Sequence, residues 1–310
     1  MKKTVVFGVV IVVIVVFLAV FLFSRGEDPI TGNVVNTEGE MKVLKMGLIP
    51  ADDADEMLRN YEPVKEYLSE KLGVPVEIQV TSDYTAAIEA MRAEHIDMAW
   101  FGPFSYIIAA NVAGAEAIVN GVKESTGSAT YKSVIVANVD SGIESLEDLK
   151  GKTFAFVDPA STSGNLIPRK VLIENGIDPD NDFSTSFYAG THNAVLYAVS
   201  NGKVAAGATG DNVYQRMVET GEIDLEANII IYESDPIPGS PIVVREGLSA
   251  EFKDKIQQAL IEMDQQVIHK VDGWGGISKY QKVTDSDYDV IRDTAKILGM
   301  DVSTAEAANK

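Results

Sequence analysis

Phe154-Ala155-Phe156-Val157-Asp158-Pro159-Ala160-Ser161-Thr162-Ser163-Gly164 carries a buried strand into a helix start. The four apolar residues make the strand, and Asp158-Pro159 ends it. Successive small hydroxylated residues then expose backbone N–H groups and add hydroxyl donors where a helix N-terminus is partly positive. Gly164 lets a ligand approach the backbone closely. Two readings stay open from the residues alone: an ordinary helix N-cap, or a grip on a small anion. Pro168 lies beyond the first turn of a helix begun here and would kink it, so the Ser-Thr-Ser amides are expected on a short separate turn.

The same strand-to-helix alternation extends in both directions. Val43 to Ile49 reads as a strand, and Pro63 fits the first turn of a helix whose apolar stripe is Val64, Leu68 and Leu72 and whose end is Gly73. Strands follow at 76–80 and 96–101, separated by a helix that Asp83 caps. Beyond Ser161, strands are expected near 183–188, 204–208 and 229–232, with a helix at 192–200 ending at Asn201-Gly202. Ile242-Val243-Val244 returns as a strand to the first lobe, and amphipathic helices cover 250–271 and 286–298. Repeated βα units imply mostly parallel sheets flanked by helices. The expected fold is α/β with two lobes, hinged near 137–140 and 233–241: 42–137 and 236–310 form lobe 1, and 138–235 forms lobe 2.

Composition narrows the function classes. The chain has 310 residues, 46% of them hydrophobic, a formal net charge of -20 and no cysteine. Such acidity and the lack of a basic stripe exclude nucleic acid as a partner. An anionic ligand would have to be held by short-range oriented donors. The absence of cysteine removes disulfides, a thiolate nucleophile, Cys-based metal sites and a lipoprotein anchor. Lys2-Lys3 precede an uncharged apolar run at 4–23, long enough to span a bilayer, and Glu27-Asp28 follow it. An N-terminal transmembrane anchor is favoured over a cleaved signal sequence, because Phe21-Leu22-Phe23-Ser24-Arg25 is a poor cleavage site. Residues 24–41 read as a flexible tether, and the body is extracytoplasmic.

Further candidates stand at element ends. His192, in Gly190-Thr191-His192-Asn193, either caps its helix or donates to an oxyanion, and a nearby dianion would favour its charged form. Tyr84, Phe101 and Tyr131 are core residues or cleft walls, and Asp211 is a helix cap or a cleft carboxylate. His95 and His269 read as helix-surface residues. No histidine pair has metal-ligand spacing, and no Walker loop or His-Ser-acid arrangement is present. Neither a metal nor a cofactor is expected.

These segments resemble the phosphonate/phosphite-binding family of periplasmic proteins that serve ABC importers. The likeness covers roughly residues 42–300 and runs in order through Pro50-Ala51-Asp52, Ser82-Asp83-Tyr84, Asp97 to Gly102, Asp158 to Gly164, Ala189 to His192 and Ile237 to Val243. It implies a type II periplasmic-binding-protein fold whose lobes close on the ligand by a hinge. It also implies that Ser161, Thr162 and Ser163 hold the phosphorus oxygens, helped by Tyr84 and His192. Phe101 stands where the family often has Tyr, so a hydroxyl contact is lost there. Of two family carboxylates that hold a ligand amine, one maps onto Asp211 and the other onto Ser240, where the acid is missing. The ligand expected is therefore phosphate, phosphite or a simple phosphonate without an amine. The implied partners are an ABC permease with its ATPase, and the protein is expected as a monomer. An enzyme on the same fold and an extracellular sensor domain are the competing classes.

Overall fold

A computed structural model of the chain describes residues 41–268, 276–300 and 302–304. The expected anchor at 4–23, nearly all of the tether and His269 lie outside these residues. Among the described residues no helix is long and apolar enough to cross a membrane.

Two sheets organise the described chain. The first takes β1 (Leu44–Leu48), β2 (Val76–Val80), β3 (Met98–Trp100), β4 (Glu116–Lys123), β12 (Pro241–Val244) and β13 (Ile277–Lys282), in the order β13-β4-β12-β3-β1-β2. The second takes β6 (Ser133–Asn138), β7 (Thr153–Phe156), β8 (Thr185–Tyr188), β9 (Ala206–Gly210) and β10 (Asn228–Glu233), in the order β10-β6-β9-β7-β8. In the first sheet β1, β2 and β3 are parallel, while β12 runs antiparallel between β3 and β4. In the second β7, β8 and β9 are parallel, while β6 runs antiparallel between β9 and β10. Most strands in each lobe thus point one way, as expected, yet the antiparallel insertions make both sheets mixed. The two lobes repeat one plan, a parallel block of three, one reversed strand, then a strand restored to the first direction, to which lobe 1 adds β13, antiparallel to β4 at its edge.

The first crossing differs from expectation. The stretch up to residue 137 is expected in lobe 1, but β6 pairs with β9 and β10 of the second sheet. The chain therefore leaves lobe 1 after β4, between residues 124 and 132, and not near 137–140. A fully buried strand carries no mark of which sheet it joins, and only the partners decide. The return crossing, between β10 and β12, lies at 234–240. The two crossings are tied together by a small ladder in which β5 (Thr130–Tyr131) pairs antiparallel with β11 (Ile237–Pro238).

Helices cover the sheets. α1 (Ala54–Leu72) begins at an Asp53 cap and ends at Gly73, whose φ of 73° suits a residue without a Cβ. Pro63 sits inside this helix and not in its first turn, because the Asp53 carboxylate accepts from the Glu56 amide and starts the helix at Ala54. α2 (Tyr84–Arg92) is capped by Asp83, as its sequence predicts, and α3 (Pro103–Ala113) follows β3 directly. In lobe 2, α4 (Ile167–Glu174), α5 (His192–Ser200) and α6 (Asp211–Glu219) follow β7, β8 and β9. α7 (Ala250–Ile261) and α8 (Gln265–Ile268) divide the expected 250–271 helix, and α9 (Asp289–Ile297) lies inside the expected last one. A buried ion pair fastens lobe 1 across its sheet: Arg245, just past β12, donates to Asp97 at 2.9 Å, and the Lys45 amide donates to the same carboxylate.

Candidate functional site

The segment after β7 forms the turn expected of it. Ser161 is the cap, its hydroxyl accepting from the Gly164 amide at 3.1 Å. Residues Thr162–Leu166 make a wide π-type turn, closed by Leu166 N–H donating to the Ser161 carbonyl, and α4 begins afresh with Pro168 in its first turn. Proline explains this break. With no N–H, Pro168 leaves the Gly164 carbonyl unclaimed by the helix, and the Val157 amide donates to it at 3.1 Å. Gly164 serves packing and not ligand approach, since a Cβ there would stand 2.3 Å from Val157 Cγ2. Ser161, Thr162 and Ser163 are all at most 2% exposed.

The other lobe and the hinge close over this turn. Phe104 N–H, from the start of α3, donates to the Thr162 hydroxyl at 2.8 Å, and the Ser133 hydroxyl donates to the Ser163 carbonyl at 2.7 Å. The Tyr84 hydroxyl shares a hydrogen bond with Ser161, and that of Tyr131 does so with Ser163 and Thr162. Burial pushes both phenols well above their usual range, so each keeps its proton and can donate it.

His192, 3% exposed, begins α5 beside these groups. Its backbone N–H crosses the lobes to the Ala51 carbonyl at 3.2 Å. Its Nδ1 accepts from the Gly210 amide at 3.3 Å and lies 2.9 Å from the Thr209 hydroxyl. An Nδ1 that accepts from a backbone amide carries no proton, which assigns the proton to Nε2. Burial lowers the pKa of His192 to about 3, which favours the neutral ring. His192 caps nothing with its side chain, because the Thr191 hydroxyl caps α5.

Three other expected site residues are placed differently. Phe101 is fully buried in the hydrophobic core at the end of β3. Ser240 lies half-buried in the return crossing, beside Gly239, whose carbonyl accepts from the Tyr288 hydroxyl at 3.0 Å. Asp211 opens α6 and accepts from the amides of Lys132 and Asn212 at 2.9 and 2.8 Å.

Sequence reasoning missed the charged residues that join the lobes. Asp52, 3% exposed in the loop between β1 and α1, is met by Arg216 of α6 at 2.9 Å and by the side chain of Asn193. Arg216 also donates to Asn193 and pairs with Glu222. Burial raises the pKa of Asp52, against the opposing effect of Arg216. Asp158, inside the quoted motif, was overlooked too. It accepts from the Ala160 amide at 2.7 Å and from the Tyr84 amide of the other lobe at 3.5 Å, and burial brings its pKa up to about 6. Separations of 164 residues, as between Asp52 and Arg216, leave no local signal.

Residues 46–288 match the family of ABC transporter, phosphonate, periplasmic substrate-binding proteins. The chain belongs to this family. It is 31% identical over 286 residues to the phosphate-import protein PhnD of Mycolicibacterium smegmatis, an alignment covering 84% of this chain and 88% of that protein. It is also 31% identical over 244 residues to the phosphonates-binding periplasmic protein of Escherichia coli K12, covering 77% and 70% of the two chains. In structure it is similar to the binding-protein component of an ABC phosphonate transporter from Pseudomonas aeruginosa, with a TM-score of 0.77, 28% identity and coverage of 87% and 90%. PhnD1 of Prochlorococcus marinus, solved in complex with methylphosphonate, shares the fold with a TM-score of 0.75 at 22% identity, over 83% of this chain and 98% of that one. The architecture is the two-lobed type II periplasmic-binding-protein fold, and membership of a periplasmic transport family implies an extracytoplasmic location.

Proposed function

We propose that the protein captures a small phosphorus oxyanion (phosphonate, phosphite or phosphate) between its lobes and delivers it to an ABC permease with its ATPase. The observation that carries this reading is the donor set around Ser161-Thr162-Ser163. Buried hydroxyls and amides converge there, with two protonated tyrosines and a neutral imidazole whose Nε2 holds the proton. A compact oxyanion with several acceptor oxygens matches a cluster of neutral donors, because each bond to a charged acceptor is stronger than a neutral one. Such a site also suits a chain of net charge -20, which repels anions at long range and must hold them by contact.

The ligand we assign carries no amine. Ser240 supplies no carboxylate, and Asp211 is already engaged by two backbone amides. A buried ammonium lacking a full complement of acceptors would be costly. Isothermal titration with phosphate, phosphite, methylphosphonate and 2-aminoethylphosphonate decides the matter. Tightest binding to the amino compound sinks the amine-free ligand, and binding to none of them sinks the oxyanion reading. The site is read as a binding site and not a catalytic one, and the body as a monomer. We read residues 4–23 as a retained membrane anchor, which mass spectrometry of the mature N-terminus tests.

A further inference from the structure

Lys123 ends β4 in lobe 1 and reaches across the hinge toward lobe 2. Its Nζ lies 3.6 Å from Oδ1 of Asp211, and both side chains are largely buried, at 16% and 18% exposure. The same ammonium stands over the ring of Tyr131, 5.6 Å from its centroid. Tyr131 in turn directs its hydroxyl to Ser163 and Thr162. Asp211 follows Gly210, where a Cβ would lie 3.4 Å from the Ser163 hydroxyl and 3.5 Å from the Tyr131 ring. The ion pair is therefore one residue removed from the anion turn. A cavity of about 130 Å³ adjoins it, lined also by Thr130, Lys132 and Gln215.

We propose that Lys123 is a specificity-determining residue whose ammonium, built into the site wall beside Asp211, excludes ligands that carry a cationic group. This inference rests on the phosphorus-oxyanion reading above and deepens it. Asp211 directly follows Gly210, which packs against the Ser163 hydroxyl, and a ligand ammonium would seek its carboxylate. Lys123 already provides that carboxylate with a cation, and a second cation would meet like-charge repulsion in a region of low water content. Lysine also suits this role better than a neutral donor, since it is held from two sides, by the carboxylate and by the face of the tyrosine ring.

The test replaces the cation while keeping the stem. In Lys123→Met, measured by titration calorimetry, the affinity for 2-aminoethylphosphonate relative to methylphosphonate should rise at least tenfold over wild type. A ratio that stays within threefold of wild type, with methylphosphonate still bound, overturns the inference and leaves the functional reading standing. Asp211→Asn supplies a second measurement that does not depend on the first variant folding. Removing the carboxylate opposite Lys123 should raise the affinity for phosphonoacetate, relative to methylphosphonate, at least threefold. An unchanged ratio there also overturns the inference. Wild-type protein that binds none of these phosphorus compounds would bring down the functional reading, and this inference with it.

Discussion

The two lobes carry the same βα unit at the same place in their sheets, but cap its helix with opposite chemistry. In lobe 1, β1 leads into Pro50-Ala51-Asp52-Asp53, and the Asp53 carboxylate caps α1. In lobe 2, β7 leads into Asp158 to Gly164, and the Ser161 hydroxyl does the capping. Each strand is flanked by parallel neighbours, β2 and β3 in one case, β8 and β9 in the other. Either cap satisfies a helix N-terminus about equally well. The hydroxyl cap adds no negative charge to the turn, which suits the anion site proposed above, whereas a carboxylate cap would repel an anion. Lobe 1 instead spends its acidic turn on the other lobe, through Asp52, Asn193 and Arg216. Topology thus supplies two equivalent turns, capped by a carboxylate in lobe 1 and by a hydroxyl in lobe 2.

The strongest way to break this comparison is to give the second turn the first turn's chemistry. Ser161→Asp retains an N-cap acceptor but places a carboxylate among the oxyanion donors. Affinity for phosphate or methylphosphonate should fall at least a hundredfold, about 2.7 kcal/mol or more. Retained wild-type affinity in titration calorimetry would mean that the anion is held elsewhere.

Arg216→Met attacks the other turn. It leaves Asp52 buried without its ion-pair partner, a change that typically costs about 3–5 kcal/mol. Chemical denaturation should report a loss of that order, and a loss below 1 kcal/mol would remove the lobe-joining role of the cluster.

Asp158 sharpens the comparison through pH. Its pKa in the folded protein is raised to about 6 from an ordinary 3.8. The stabilising contribution of protonation is therefore full below about 3.8 and disappears as pH rises through about 6. Thermal stability should gain from this group as pH falls from 7 toward 4. Asp158→Asn should flatten that part of the pH profile, and an identical profile in both proteins would contradict it. His192, already neutral above pH 3, should add no inflection near 6.5.

The smallest effect belongs to the reverse exchange, Asp53→Ser. One good cap replaces another, so denaturation should show a change below about 0.5 kcal/mol. A loss above 1 kcal/mol would show that the carboxylate in the first turn does more than cap.

Much of this arrangement is legible locally. Asp83 and Ser161 announce their helices because each cap bonds an amide three residues on. Pro168 announces the separate turn, because its missing N–H acts within a few residues. β4 and β13 are harder to read. β4 carries Asn120 and Gly121 in its middle, and β13 is largely polar at the edge of its sheet, so neither shows a clean apolar signature. The position of the first crossing is equally silent, since β6 would fit either lobe.

Within the site, the sequence by itself determined the Ser161-Thr162-Ser163 turn and its membership of a two-lobed phosphonate-binding family. Those features follow from neighbours in the chain and from a motif that runs in order. Only the tertiary structure decided that His192 is neutral, that Gly164 yields to Val157, and that Lys123 faces Asp211 across the hinge. Burial and charge pairing depend on what distant segments bring to the same place, and no local pattern of residues carries that information.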